Sequence, residues 1–318
     1  MIFKKAKHVS ENEDAYKERY VEVPKKGKRD KKEVKADFVS TLFLVPSLLG
    51  VAVFFLIPFC IVIYYSMIDN PIHHEFVWFD NFVMLFKNLA FRKAAENTLI
   101  FSFVAVPLAV VLSLLLAIAL EWKLPFKSQI RSFFLSPMMV PTASVVLIWQ
   151  VLFHTHGTAN AIIEKLGGES IDWLYSKYSL VVVVILFIWK NLGYNMILFI
   201  SALGSVPESL VEAASLEKIT KWQIFWTVKF RYITSTILFV TIMSLINSFK
   251  VFREVYLLKG DYPYETIYLL QHFMNNTFHH LDYQKMSSAA VVMAIFMSVI
   301  IWALFRAEAT LGKDVEDD

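Results

Sequence analysis

Glu208, Glu212 and Glu217 fall in one short polar stretch beside Leu210, Ala213, Ala214 and Leu216. Wound as a helix, the stretch places its carboxylates on one side and small or medium apolar residues on the other. Two adjacent alanines permit close approach to another surface, so the pattern suits insertion into a groove on a partner protein. A surface helix resting on lipid headgroups is the other arrangement these residues allow. Ser205-Val-Pro-Glu208 has the spacing of a capping box, with Ser205 accepting from the third helical amide and Glu208 reaching back to the amide of Ser205. Pro207 then sits in the first turn, where its missing N–H does no harm. Thr220-Lys-Trp-Gln223 has the same spacing. The stretch is therefore expected to form two short helices jointed near Glu217–Thr220.

The remaining polar residues make no catalytic constellation. No G-x-x-x-x-G-K-[ST] phosphate loop occurs, so ATP has no site of the usual kind on this chain. His154-Thr-His156 and His279-His280 lack the further ligands of a metal centre. Lys190 and Lys250 stand near the ends of apolar segments, where long side chains snorkel to an interface. Glu121 and Glu254 read as terminal, leaving the segment centres without carboxylates. With Cys60 alone, no internal disulfide can form.

Six apolar segments must position these residues, near 39–67, 96–120, 130–153, 179–201, 233–252 and 286–306. Each approaches the ~20 residues that cross a bilayer. A hydrophobic share of 57% against 19% charged residues excludes an ordinary soluble fold. The expected architecture is an all-α integral membrane protein with six transmembrane helices. Twelve Lys and Arg lie in residues 1–37, and more in loops 121–131 and 202–232. This bias places both termini and the Glu-Ala-Ala loop in the cytoplasm of a multi-pass plasma-membrane protein. Residues 1–37 read as a flexible basic tail near anionic lipid rather than a nucleic-acid arm. Residues 38–308 form one membrane domain and 309–318 an acidic cytoplasmic tail. Phe79 to Lys87 is amphipathic and is expected at the outer interface. Pro137 and Pro141 should bend or break the third span. Gly157, Gly167 and Gly168 mark turns in the loop after it.

The polar loop resembles the EAA motif of binding-protein-dependent ABC importer permeases, through Pro207, Leu210, Glu212, Ala213, Ala214, Glu217, Gln223 and Phe225. Two positions depart from that pattern. Lys218 stands where a glycine is usual, and Phe230-Arg231 replaces a Leu-Pro step. Phe91-x-x-Ala94-x-x-Asn97-Thr98, Trp189-Lys-Asn-Leu-Gly193 and Phe249-Lys-Val-Phe-Arg-Glu-Val-Tyr extend the resemblance over about residues 40–306. They are similar to the first permease subunit of maltose-, lactose- and glycerol-phosphate-type systems. The resemblance implies a type I ABC importer permease fold and a pore for a sugar or oligosaccharide.

It also implies partners: a second homologous permease, two ATPase subunits that bind ATP and Mg, and an extracellular solute-binding protein. No cofactor is implied on this chain. Ser205, Glu208, Leu210, Glu212, Ala213, Ala214, Glu217 and Lys218 would couple to the ATPase. Trp189, Leu192, Gly193, Met196, Asn247, Ser248 and Val251 would lie along the substrate path, although Asn247 and Ser248 equally suit hydrogen bonds to neighbouring helices. Lys190 and Lys250 snorkel or meet an acidic or phosphorylated sugar. The histidine pairs fall near the surface where the binding protein would dock. An ion-coupled secondary transporter is the alternative, and it needs a midplane carboxylate or a cation-binding cluster.

Overall fold

The computed structural model describes residues 43–121, 126–217 and 219–311. The basic tail 1–37, Lys218 and most of the acidic tail lie outside the described residues. Two compact units divide after Ile61, and the elements from Val62 onward belong to the second.

Among the described residues, five helical spans are long and apolar enough to cross a membrane. The first is α1, Phe43–Ser66. Within it the ladder opens into a π-turn at Ala52–Leu56, where the Ile57 N–H reaches back to the Ala52 carbonyl. The shift lies just before Pro58, which has no N–H to offer the preceding turn. A short helix α2, Asp80–Lys87, buries Asn81 and Leu85. The second span is α3, Leu89–Glu121, which continues through Pro107.

The expected third span is broken. Helix α4, Lys127–Met139, and helix α5, Thr142–Leu152, meet at 102°. Val140 between them is extended, as a residue before proline prefers, so Pro141 makes the break while Pro137 stays inside α4. After the short α6, Thr158–Lys165, comes the span α7, Ser179–Gly204. Next are α8, Glu208–Leu216, and α9, Lys221–Ile224. A second π-turn, Phe225–Lys229, leads into α10, Phe230–Tyr232.

The next span is longer than its hydropathy suggests. Helix α11, Thr234–Lys250, passes through a helical Val251 into α12, Phe252–Lys259. It ends at Gly260, whose φ of 74° favours glycine. The loop expected from residue 253 therefore starts later. It also contains a helix the apolar pattern did not reveal, α13, Leu270–His279, before the last helix α14, Tyr283–Leu311.

Helices α3 and α7 form the most extensive helix pair. Ala105, Ala109, Ser113 and Ala117 recur every fourth residue along α3, and all four are fully buried. Small residues at this spacing let two backbones approach closely in a membrane, where dispersion contacts rather than water exclusion hold helices together. Val183, Val184 and Phe187 of α7 pack against the first two, and Met196, Phe199 and Leu203 join the cluster around Ala117.

Candidate functional site

Helix α7 delivers the chain to the polar loop. The Ser205 backbone is still in the helical region, so its hydroxyl turns back and donates to the Ala202 carbonyl at 2.8 Å. Ser205 thus closes α7 instead of capping α8. The expected box with Glu208 does not form, and α8 starts behind Pro207 without a side-chain cap. The second box does form. The Thr220 N–H donates to Gln223 Oε1 at 2.8 Å, and the Gln223 N–H donates to Thr220 Oγ1 at 3.3 Å.

No residue of α8 is buried. Val211 and Ala214, three residues apart, are half-buried, and Val211 packs on the main core. Glu208, Leu210, Glu212, Ala213 and Leu216 are exposed, as is Glu217 just beyond. The inward side is therefore Val211 and Ala214, and the free side mixes apolar and acidic residues. The expected clean division between an apolar and an acidic side is corrected accordingly.

The segment after α8 is firmly tied to the spans. Trp222, Phe225, Trp226 and Phe230 form an aromatic cluster, with Trp226 and Phe230 centroids 4.8 Å apart. Phe225 and Val206 are buried in the same core as Met196 and Phe199. Lys229 pairs with Glu121 at the end of α3. Lys218, at the joint, lies outside the described residues.

A cavity of about 400 Å³ opens between α7 and the α11–α12 span. Asn247 and Val251 line it, with Lys190, Lys250, Arg253 and Glu254. The other residues expected on a substrate path lie off its walls. Trp189 is partly exposed and leans on Trp149, their ring centroids 6.1 Å apart. Leu192 is half-buried, and Met196 is fully buried. A Cβ on Gly193 would fall 1.9 Å from the Phe134 carbonyl oxygen, so glycine here is required by the close approach of α4. Ser248 donates to the Leu245 carbonyl at 2.7 Å and shares a 2.9 Å hydrogen bond with Ser102 of α3. Asn247 donates to Asn191 Oδ1 at 3.0 Å, and Asn191 donates to the Phe187 carbonyl at 2.8 Å.

Lys190 corrects a second expectation. It sits near the middle of α7, not at its end, and pairs with Glu254 of α12. The Glu254 side chain is only 6% exposed, so it is an interior carboxylate rather than a terminal one. The signal was present: a carboxylate beside an apolar segment needs a cation when the helix runs on past it.

At the opposite end, Asn97 of α3 donates to the carbonyls of Glu265 and Tyr268 at 2.6 and 2.9 Å. The Leu270 N–H donates to Thr98 Oγ1 at 2.8 Å, fixing the start of α13. His272 is fully buried there and accepts from the Leu269 N–H through Nδ1. Burial lowers its pKa to about 4. Burial also raises the pKa of Tyr268, partly opposed by a hydrogen bond from Asn276.

This arrangement has known relatives. The chain is 27% identical over 275 residues to the lactose transport system permease protein LacF of Rhizobium radiobacter, covering 84% of this chain and 92% of that one. It is 26% identical over 266 residues to the sn-glycerol-3-phosphate transport system permease protein UgpA of Rhizobium meliloti, covering 82% and 90%. Its fold is similar to that of a chain in a bacterial ABC transporter that imports the acidic polysaccharide alginate, with a TM-score of 0.77 at 20% identity, over 89% of this chain and 99% of that one. Residues 109–316 match the family described as binding-protein-dependent transport system inner membrane component. That match spans most of the chain and includes the polar loop, the cavity and the last span, and the chain belongs to this family of ABC importer permeases.

Proposed function

We propose that the chain forms one half of the pore of an ATP-driven importer for a sugar or oligosaccharide handed over by an extracellular solute-binding protein. Helix α8 carries the reading. It has no buried residue, yet the segment after it is locked to α3, α7 and α11. A free surface on a rigid lever transmits force from a partner to the spans.

Two ATPase subunits bind ATP and Mg in this scheme, and Glu212, Ala213 and Leu210 enter a groove on one of them. Ser205 and Glu208 set the start of the lever, and Ala214, Glu217 and Lys218 its inward side and joint. ATPase closure draws this lever toward that of a second, homologous permease. The aromatic cluster and the Lys229–Glu121 pair then move α11 and α3 with it, switching access to the cavity. Such a switch needs contacts that differ between the two states, and ATP supplies the difference through the partner. The substrate class rests on the relatives' names, which include both a neutral sugar, lactose, and a polyol phosphate, sn-glycerol-3-phosphate.

An ion-coupled transporter needs a carboxylate free to bind its ion. Glu254 is an interior carboxylate, but it is held by Lys190. Purification in mild detergent, with partners identified by mass, separates the readings. Recovery of an ATPase and a second permease supports the importer. A chain recovered alone that moves solute in liposomes without ATP contradicts it.

A further inference from the structure

We infer that the cavity between α7 and the α11–α12 span takes the anionic group of an acidic sugar, with Lys250 and Arg253 as its counterions. The inference rests on the reading of this chain as a sugar-importer pore.

Charge balance carries it. The cavity is lined by three cationic side chains, Lys190, Lys250 and Arg253, and by one carboxylate, Glu254. Glu254 is committed to Lys190. Lys250 and Arg253 are exposed to the cavity side and make no ion pair or hydrogen bond among the described residues. Both lie within the span Thr234–Lys259. Two unpaired cations in a membrane span are costly, and an anion brought into the cavity offsets that cost. Arginine meets a carboxylate, phosphate or sulfate with paired N–H groups, and lysine adds a point charge.

The neutral lining fits the rest of such a molecule. Asn247 spends one amide hydrogen on Asn191 and leaves Oδ1 unused among the described residues. The Tyr194 hydroxyl on the same wall likewise has no hydrogen-bond partner among them. Together they offer an acceptor and a donor–acceptor, the set a sugar hydroxyl needs. Met138 and Leu186 supply apolar wall. A volume of about 400 Å³ lies within the range of small-molecule sites, ~300–1,000 Å³.

The test uses the whole complex with its ATPases, second permease and binding protein. The binding protein is screened with matched pairs, a uronate-bearing oligosaccharide against its neutral counterpart and a sugar phosphate against the free sugar. The acidic member retained is the uptake probe for complexes in phosphatidylcholine liposomes, with and without phosphatidylglycerol. The expected result is retention of an acidic member, and uptake at low concentration at least tenfold weaker in Lys250→Gln/Arg253→Gln. The charge-keeping Lys250→Arg/Arg253→Lys should recover most of it in both lipids.

Several results overturn the inference. One is a screen in which no acidic member is retained. Another is wild-type uptake by the neutralised variant. A defect confined to phosphatidylglycerol liposomes assigns the cations to a lipid headgroup. Loss of the second permease from the purified variant assigns them to a carboxylate of that subunit. ATP-driven uptake of neutral members alone sinks this inference only, whereas no ATP-driven uptake of any member sinks the importer reading with it.

Discussion

Lys190 of α7 and Glu254 of α12 form an ion pair in the interior of the membrane domain, joining two helices that are 64 residues apart at these positions. The Lys190 side chain is 33% exposed and the Glu254 side chain 6%. The pair is thus dry on one side and open to the cavity on the other.

Removing one partner should cost more than removing both. Lys190→Met leaves a buried carboxylate uncompensated, at a cost of about 3–5 kcal/mol. Lys190→Met combined with Glu254→Leu replaces the pair by apolar contacts and should recover most of the loss. Thermal melting of the purified complex in detergent reads this directly. A loss in the double variant equal to the sum of the losses in Lys190→Met and Glu254→Leu alone would show that the charges do not depend on each other.

Gly193→Ala should loosen α4 from α7. The added methyl lands on a backbone carbonyl, which cannot rotate away as a side chain can. The expected loss is about 1–3 kcal/mol, the usual range for overpacking. Gly204→Ala is the comparison, since nothing lies within 4 Å of a Cβ there. Its effect should stay within about 0.5 kcal/mol. Equal effects at the two sites would mean that the α4–α7 approach is not as close as described.

His272 should make the loop between α12 and α14 acid-sensitive. Its pKa is about 4 when folded, against 6.5 for the free side chain. The unfolded chain therefore binds the proton first. Stability from this residue is complete above pH 6.5, falls as pH drops through the window, and is gone near pH 4. Between pH 7.5 and 5 the loss is about 2 kcal/mol. His272→Gln keeps an acceptor for the Leu269 N–H and has no charge to gain. Melting curves at several pH values should show a shallower slope for that variant, and identical slopes would contradict the assignment.

The spans were legible because apolar length is a composition signal. The break at Pro141 was legible because proline constrains the residue before it. The Thr220–Gln223 box was legible because its partners are three residues apart. Ser205 misled because the same spacing also suits a hydroxyl that bonds backward, and only the helical backbone of Ser205 decides between the two. Glu254 was misplaced for a similar reason. Lys250, Arg253, Glu254 and Lys259 lower the hydropathy of the last turns, yet the helix runs to Gly260 because Glu254 pairs with Lys190 and Val255 and Leu258 are buried. Helix α13 was missed because its support is long-range, from Asn97 and Thr98 of α3. The cavity was only half legible. Asn247 and Val251 line it, but Tyr194, Arg253 and Glu254 enter through helix phase that hydropathy does not encode.

In the proposed scheme, force from the ATPase enters this chain through α8. The most direct test is Glu212→Lys, a change on the exposed side of a helix with no buried residue. The variant and the unaltered chain are purified from membranes in the same detergent, and bound ATPase and ATP-driven uptake are measured for each. A force-receiving α8 predicts normal insertion and normal recovery of the second permease, with at least a tenfold loss of bound ATPase and of uptake. Full ATPase binding and full uptake by Glu212→Lys would contradict it.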